Sequence, residues 1–158
     1  MVGGSRSKSP DTAPAPVAST LEVAEPQATA FGIGGQLALS GFGGVQVVYN
    51  TDTFHIDGLV SFFDEVNTTI SLGGRYFYHF NRSERADFSF GAGLGFTHIN
   101  DVDIDVLHFE AVGQIRVFLT PAVVMSTTFG VALQSLDVDA VGLGTDLLGG
   151  TGISYLFY

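Results

Sequence analysis

Three aspartates of this chain are spaced like ligands of a metal ion. Asp101, Asp103 and Asp105 match the first oxygen ligands of a calcium loop. A complete loop of that kind also needs Gly at its sixth position and Glu at its twelfth, where the chain has Val106 and Val112. The spacing therefore predicts a solvated acidic loop, with weak divalent bridging as the alternative.

A second set of ionisable residues alternates with apolar ones and could form ion pairs or a proton path. A turn centred near Ser83 would place His79 opposite Asp87, and a turn at 64–67 would place Asp57 near Arg75. A buried charge without a partner is very costly, so we expect a paired polar network that stabilises the interior. A narrow proton or ion path is the alternative. The predicted network comprises His55, Asp57, Arg75, His79, Asp87, His108, Glu110 and Arg116.

The elements that must position these side chains are β-strands, because apolar and small or polar residues alternate with a period of two. Strand five shows the pattern, with Phe88, Phe90 and Phe96 on one face and glycines on the other. The eight predicted strands are about Thr29–Ser40, Gly44–Asn50, Phe54–Phe63, Thr68–Phe80, Asp87–Ile99, Val106–Leu119, Val123–Ser135 and Leu147–Phe157. The longest loop is predicted at Leu136–Asp146.

Composition favours a barrel with lipid outside and a polar interior. Only 14% of the residues are charged although mean hydropathy is +0.34, and no run of about 18 apolar residues provides a transmembrane helix. Strands of about 10–12 residues have the length that a tilted strand needs to cross a bilayer. The net charge of −10, with six basic residues, argues against nucleic acid as a partner. Without cysteine, disulfides and thiolate metal sites are excluded.

The first 27 residues differ from the rest of the chain. They are rich in Ala, Pro, Ser and Thr and lack periodicity, which predicts a flexible tail over 1–27 and a barrel over 28–158. No basic segment followed by an apolar one comes after Met1, so no signal peptide is visible.

Aromatic residues are predicted to gather at one end of the barrel. If the first strand begins on the periplasmic side, eight aromatic residues lie near the periplasmic ends of their strands, as expected for a girdle at a membrane interface. These residues are Phe31, Tyr49, Phe54, Tyr78, Phe80, Phe88, Tyr155 and Phe157.

The ending Tyr155-Leu156-Phe157 resembles the terminal signal of bacterial outer-membrane proteins, with Tyr158 as an extra residue. The segment 28–158 is similar to the small OmpA/OmpX-like outer-membrane barrel domains. The resemblance implies an all-β fold: an eight-stranded antiparallel up-and-down transmembrane β-barrel behind a disordered N-terminal tail. It also implies the bacterial outer membrane as location, with lipid, lipopolysaccharide and, through the last strand, the barrel-assembly machinery as partners. We expect a monomer with a structural or surface-interaction role.

Catalysis is not expected. Outer-membrane lipid A deacylases use a His-x-Ser pair, whereas His98 is followed by Ile99 and Asn100, so the hydroxyl nucleophile is missing. No cofactor or metal site is predicted. The alternative to a membrane barrel is a soluble, lipocalin-like barrel that binds an apolar ligand, but its lumen should be apolar, and this one would hold Arg75, Arg116 and Glu110.

Overall fold

The computed structural model describes residues 29–38, 43–64, 68–100, 103–136, 141–144 and 149–158. Across these ranges there is no helix long and apolar enough to cross a membrane. The described residues form nine β-strands: β1 (Ala30–Ala38), β2 (Gly43–Asn50), β3 (Phe54–Asp64), β4 (Thr68–Arg82), β5 (Ala86–Ile99), β6 (Ile104–Thr120), β7 (Val123–Leu136), β8 (Val141–Gly144) and β9 (Gly149–Phe157).

Eight of these strands close into an antiparallel barrel. Each strand from β1 to β7 pairs with the next along the chain, and β9 pairs with both β7 and β1. Phe31 lies opposite Phe157 at the seam between the first and last strands. The predicted fold class, an eight-stranded antiparallel up-and-down barrel, is confirmed in its strand number and topology.

The short strand β8 is an addition to the barrel that the sequence did not predict. It pairs with the second half of β7, at Ala132–Ser135, whereas β9 pairs with the first half, at Val123–Phe129. A loop was predicted from Leu136 to Asp146, and this prediction is wrong over the four residues of β8. Four residues are too few for alternation to reveal a strand, and their partner is the part of β7 that extends past the shorter β9.

Alternation along the strands determines which side chains the barrel encloses. On β2, Val45 and Val47 are 54% and 53% exposed, whereas Gln46 and Val48 are 2% and 4% exposed. The exposed face of the strands is the outside of the barrel, and the buried face lines the lumen. An apolar cluster within the lumen comprises Ala30, Val48, Phe118, Val124 and Leu156.

The barrel has two ends that differ in their connections. At the first, which we call the turn end, lie the connections 51–53, 83–85 and 121–122 together with the start of β1 and the end of β9. At the opposite end, β6 begins at Ile104, so Asp105 belongs to a strand and not to the predicted acidic loop. Asp101 and the predicted tail 1–27 lie outside the described residues.

Candidate functional site

The eight ionisable residues of the predicted network all lie on the inner face of the barrel. Each is at most 8% exposed, and His55 is fully buried. They come from four consecutive strands: two residues from β3, two from β4, one from β5 and three from β6. The same alternation that directs apolar side chains outward therefore places these polar groups in the lumen.

Near the turn end, Arg116 and Asp87 form a buried ion pair. Arg116 Nε lies 2.9 Å from Asp87 Oδ1, and Nη2 lies 2.5 Å from Oδ2. Ser89 Oγ donates a further hydrogen bond to the same carboxylate at 3.4 Å. The guanidinium also donates to His79 Nε2 at 2.9 Å and lies 5.6 Å from the centre of the Phe118 ring. One cation thus joins a carboxylate, an imidazole and an aromatic face.

The sequence prediction that His79 lies opposite Asp87 is wrong. In the β4–β5 register His79 lies opposite Ser89, and Asp87 lies opposite Arg82. The prediction failed because the turn is centred beyond Ser83, with Arg82 paired to Asp87, and a β-bulge at Phe80 also adds one residue to β4 between His79 and Asn81. Arg116, reaching in from β6, nevertheless contacts both His79 and Asp87.

A second buried ion pair lies farther from the turn end. Arg75 Nε is 2.6 Å from Glu110 Oε2, and Arg75 Nη1 donates to Gln36 Oε1 at 3.3 Å. The predicted juxtaposition of Asp57 with Arg75 is confirmed in the strand register. The arginine pairs instead with Glu110, so strand neighbours and ion-pair partners are different residues here.

The two sides of the lumen are joined by Gln114, which reaches from β6 to β3. Its Oε1 lies 2.8 Å from His55 Nε2, and its Nε2 donates to Asp57 Oδ2 at 3.2 Å and to Thr128 Oγ1 at 3.1 Å. His55 Nδ1 lies 2.8 Å from His79 Nε2. A continuous hydrogen-bonded chain therefore crosses the lumen from the Arg116–Asp87 pair to Asp57.

The remaining predicted histidine joins a smaller cluster toward the opposite end. His108 Nε2 lies 3.0 Å from Thr97 Oγ1, which in turn lies 2.9 Å from Ser71 Oγ. A cavity of about 50 Å³ lies beside this cluster, and its lining includes Ser71, Thr97, Arg75 and Glu110. A smaller cavity of about 10 Å³ lies nearer the turn end, against Asp57 and Gln114.

Two of the interior residues that were missing from the predicted network contact it at its centre. Gln114 is absent from the predicted network, because an amide carries no charge to signal its role. Phe77, which is fully buried, stacks on the His55 ring with centroids 4.6 Å apart. Gly91 lies opposite Phe77 on the neighbouring strand and makes room for its ring. A large residue paired with a glycine across two strands is the sequence signal that could have identified Phe77 as an interior residue.

The eight aromatic residues of the predicted girdle lie around the turn end. Phe31 and Tyr49 have ring centroids 5.0 Å apart, and Tyr155 and Phe157 have centroids 5.1 Å apart. Phe80, at the bulge, is 72% exposed. Tyr78 is also exposed, whereas Phe54 and Phe88 are half-buried. The rings lie on the outer face of the barrel, away from the polar lumen.

The last residues follow the same alternation. Tyr155 and Phe157 are each 52% exposed, whereas Leu156 is 2% exposed, so the outward register is that of Tyr-x-Phe. Tyr158 lies beyond β9, and its hydroxyl donates a hydrogen bond to the Pro121 carbonyl. Partial burial raises the pKa of Tyr158.

The outer face carries one ion pair that bears on the predicted loop chemistry. His98 Nδ1 lies 2.7 Å from Asp105 Oδ1, and the two residues lie opposite each other on β5 and β6. Asp103 adopts a positive φ of 51° in the preceding turn. Among the described residues, no three His, Cys, Asp or Glu side chains are grouped so that they could hold a metal ion.

Comparison with solved structures shows the same barrel in another protein. The chain is similar to the N-terminal β-barrel domain of OprF from Pseudomonas aeruginosa, with a TM-score of 0.59 and 13% sequence identity. The match covers 83% of this chain and 98% of that domain. No protein-family model matches the chain, and no curated protein matches it. At this identity the likeness shows a shared fold.

Proposed function

We propose that this chain is a small outer-membrane β-barrel that spans the lipid bilayer with its eight barrel strands. Its role is structural or in surface interaction, and the proposal assigns it no catalytic step. The fold shared with the OprF barrel domain supports this assignment. The chemistry of the two barrel faces supports it independently.

The observation that carries the proposal is the inversion of the usual distribution of side chains. Among the described residues, 28 large hydrophobic side chains are exposed, at 37–72% of their surface. The buried set contains 15 polar or charged residues and nine hydrophobic ones. Soluble monomers rarely expose contiguous apolar patches of more than a few hundred Å². Lipid is the surrounding that makes such an outer surface favourable.

The interior supports a barrel that is plugged by its own side chains. The Arg116–Asp87 and Arg75–Glu110 pairs each combine opposite charges with direct hydrogen bonds. Polar side chains enclosed in an eight-stranded barrel can fill its lumen completely. We therefore assign the polar network to the stability of the barrel.

A soluble barrel with an apolar ligand fits the lumen less well. Ligand pockets usually have about 300–1,000 Å³ and mostly apolar walls. The cavity beside Arg75 and Glu110 has about 50 Å³ and adjoins an ion pair. An acyl chain there would have to displace charged groups from their partners.

The partners that we propose follow from the two surfaces of the barrel. Lipid and lipopolysaccharide would contact the outer face, with the aromatic girdle at one interface. The barrel-assembly machinery would read β9, where Tyr155 and Phe157 point outward. We propose a monomer, because strand pairing is already complete around the barrel.

The experiment that tests the proposal is folding in lipid or detergent, followed by electrophoresis with and without boiling. A closed strand ladder should resist dodecyl sulfate, so the unboiled band should differ in mobility from the boiled band. The folded protein should also float with lipid vesicles in a density gradient and resist carbonate extraction. Equal mobility of both samples, together with folded protein in detergent-free buffer, would reject the membrane assignment.

A further inference from the structure

The position of each proton along the hydrogen-bonded chain across the lumen follows from which atoms donate and which accept, beginning at Arg116. A guanidinium only donates hydrogen bonds, so His79 Nε2, at 2.9 Å from Arg116 Nη2, accepts. The other nitrogen of that ring, Nδ1, lies 3.1 Å from the backbone oxygen of Asp52 and must therefore donate. His79 is thus a neutral imidazole with its proton on Nδ1.

The next contact fixes one nitrogen of His55. His55 Nδ1 lies 2.8 Å from His79 Nε2, which is an acceptor, so His55 Nδ1 carries a proton. In a neutral imidazole the other nitrogen, Nε2, is then an acceptor as well. That nitrogen lies 2.8 Å from Gln114 Oε1, which is also an acceptor. Two acceptors at hydrogen-bond distance repel each other unless a proton lies between them.

Two arrangements resolve this conflict, and each requires one additional proton. In the first, His55 is an imidazolium that donates to both His79 and Gln114, while the Gln114 amide donates to an ionised Asp57. In the second, the Gln114 oxygen and nitrogen exchange places, so the amide donates to a neutral His55. Gln114 oxygen then lies 3.2 Å from Asp57 Oδ2, and Asp57 must be protonated to donate to it.

The charges around the line of contacts from His55 through Gln114 to Asp57 agree with the need for one additional proton. Arg116 is balanced by Asp87, and Arg75 is balanced by Glu110. The inner faces of β1, β2, β7 and β9 contribute uncharged side chains wherever their side chains are described. The groups that face the line are His55 and Asp57 on β3, Arg75, His79 and Arg82 on β4, Asp87 on β5, and Glu110 and Arg116 on β6.

Asp57 is therefore the carboxyl left without its own cation. Arg82, the last arginine of the set, bonds Asp52 at the turn end. The nearest cationic candidate for Asp57 is His55, whose Nε2 lies 4.0 Å from Asp57 Oδ2. Asp57 Oδ1 is buried and has no hydrogen-bond partner among the described residues. A buried carboxylate that has no cation of its own and one oxygen without a hydrogen bond binds a proton to avoid the cost of its charge.

We propose that the lumen is a binding site for one proton, held on the line from His55 through Gln114 to Asp57. With the proton the buried cluster is neutral and each of its contacts pairs a donor with an acceptor. Without the proton the cluster has a charge of −1, and one of the two Gln114 contacts must break. Gln114 lets the proton sit at either end of the line by turning its amide over.

Spectroscopy of the folded, full-length protein in lipid nanodiscs at pH 7 tests the proposal directly. We expect one of two signatures. Either the His55 ring shows two protonated nitrogens in its nitrogen–proton correlations, or infrared spectra contain a protonated carboxyl band that disappears in Asp57→Asn. The His55 signals are identified by their loss in His55→Gln. A neutral His55 ring together with the absence of such a carboxyl band overturns the proposal.

Reversible unfolding of the micelle-bound barrel provides a second test. Above about pH 7.5 the unfolded chain has neutral histidine and ionised aspartate, whereas the folded barrel retains the proton. The folding equilibrium constant should then fall about tenfold per pH unit between about pH 7.5 and 9.

Asparagine at position 57 can donate to the Gln114 oxygen without a bound proton, so Asp57→Asn should remove this slope. Glu84→Gln, a carboxyl in an exposed turn, is the matched control and should keep the slope. Equal slopes in wild type and Asp57→Asn contradict the proposal. If Asp57→Asn does not fold, the wild-type slope and the His55 spectrum decide.

Discussion

At the scale of single residues, the two lumen arginines should contribute more to stability than any arginine of the turns. Arg75 and Arg116 are each 3% exposed and bonded to carboxylates that are buried with them. Truncation to alanine leaves Glu110 or Asp87 charged without a partner, which typically costs about 3–5 kcal/mol. Urea unfolding of the micelle-bound barrel should show this loss for Arg75→Ala and Arg116→Ala.

The control for this prediction must be chosen from the structure. Arg82 is unsuitable as the control, because it ends β4, its side chain is 18% exposed and it pairs with Asp52. Arg85 is the exposed arginine of the following turn, and Arg85→Ala should cost about 0–1 kcal/mol. The double change Arg75→Met with Glu110→Met should cost less than Arg75→Ala. If all these variants unfold at the same midpoint, the lumen pairs do not stabilise the barrel.

The lumen shows which part of the site could be predicted from sequence. The period-two alternation placed all eight ionisable residues on one face, because a strand allows only two directions for a side chain. The Arg75–Glu110 pair was harder to predict, because Arg75 on β4 bonds a carboxylate two strands away on β6, whereas Asp87 and Arg116 lie opposite each other on the neighbouring strands β5 and β6. The β4–β5 register was missed because the turn is centred beyond Ser83, and no residue type marks that centre, or the bulge at Phe80, in advance.

At the scale of strands, the approach of β5 to β4 depends on a glycine. A Cβ atom at Gly91 would lie 2.0 Å from the Tyr76 carbonyl oxygen and 2.9 Å from the Phe77 ring. Gly91→Ala should therefore destabilise the barrel, by about 1–3 kcal/mol as for other overpacked sites. The temperature at which the gel band of the folded, unboiled protein disappears measures the effect.

Gly58 provides the matched position on β3. A Cβ atom there would meet the Val47 carbonyl oxygen at 3.8 Å, an ordinary contact. Gly58→Ala should leave stability unchanged or raise it slightly, by up to about 1 kcal/mol. If it proves as damaging as Gly91→Ala, the loss comes from replacing any strand glycine and not from crowding beside Phe77.

The outward position of Phe157 in β9 leads to a prediction about assembly of the barrel. Phe157 lies outward at the seam with β1, opposite Phe31, whereas Tyr158 lies beyond the strand and bonds Pro121. We expect Phe157→Ala to lower the yield of folded barrel in cells, and removal of Tyr158 alone to lower it less. Deletion of 155–158 should prevent folding, because β9 closes the ladder. Pulse labelling with gel mobility measures all three, and an equal effect of the first two changes would contradict the assigned role of Phe157.

At the scale of the whole molecule, the polar lumen predicts a barrel without a steady ion current. The Arg116–Asp87 pair and the Gln114 bridge cross the lumen, and an ion would have to separate groups that are already bonded. Planar-bilayer recordings of wild type should show no sustained open state. Changing Asp87, Arg116 and Gln114 together to alanine removes both crossings and should introduce conductance, whereas Arg85→Ala should not. Sustained wild-type current would favour an ion-conducting barrel instead.

The fold was more predictable from the sequence than the site, for a reason that lies in the whole barrel. Eight alternating segments joined by short turns have few ways to hydrogen-bond every backbone N–H and C=O group. Closing the strand ladder into a barrel is the arrangement that leaves no unpaired edge. The exception was β8, whose four residues pair with a strand end that extends past β9. The local sequence pattern therefore predicts the strands of the closed barrel, but it does not predict a short added strand such as β8.

The seam between β1 and β9 sets the order in which this molecule can be made. Most neighbouring strands of the barrel join consecutive hairpins, which are contacts of short range in sequence, whereas the seam joins the two ends of the described chain. Contacts of long sequence separation form slowly, since a large loop must close first. The circle is thus completed only after β9 has been synthesised. A ladder that lacks β9 has two unpaired strand edges, and such edges can pair with other chains.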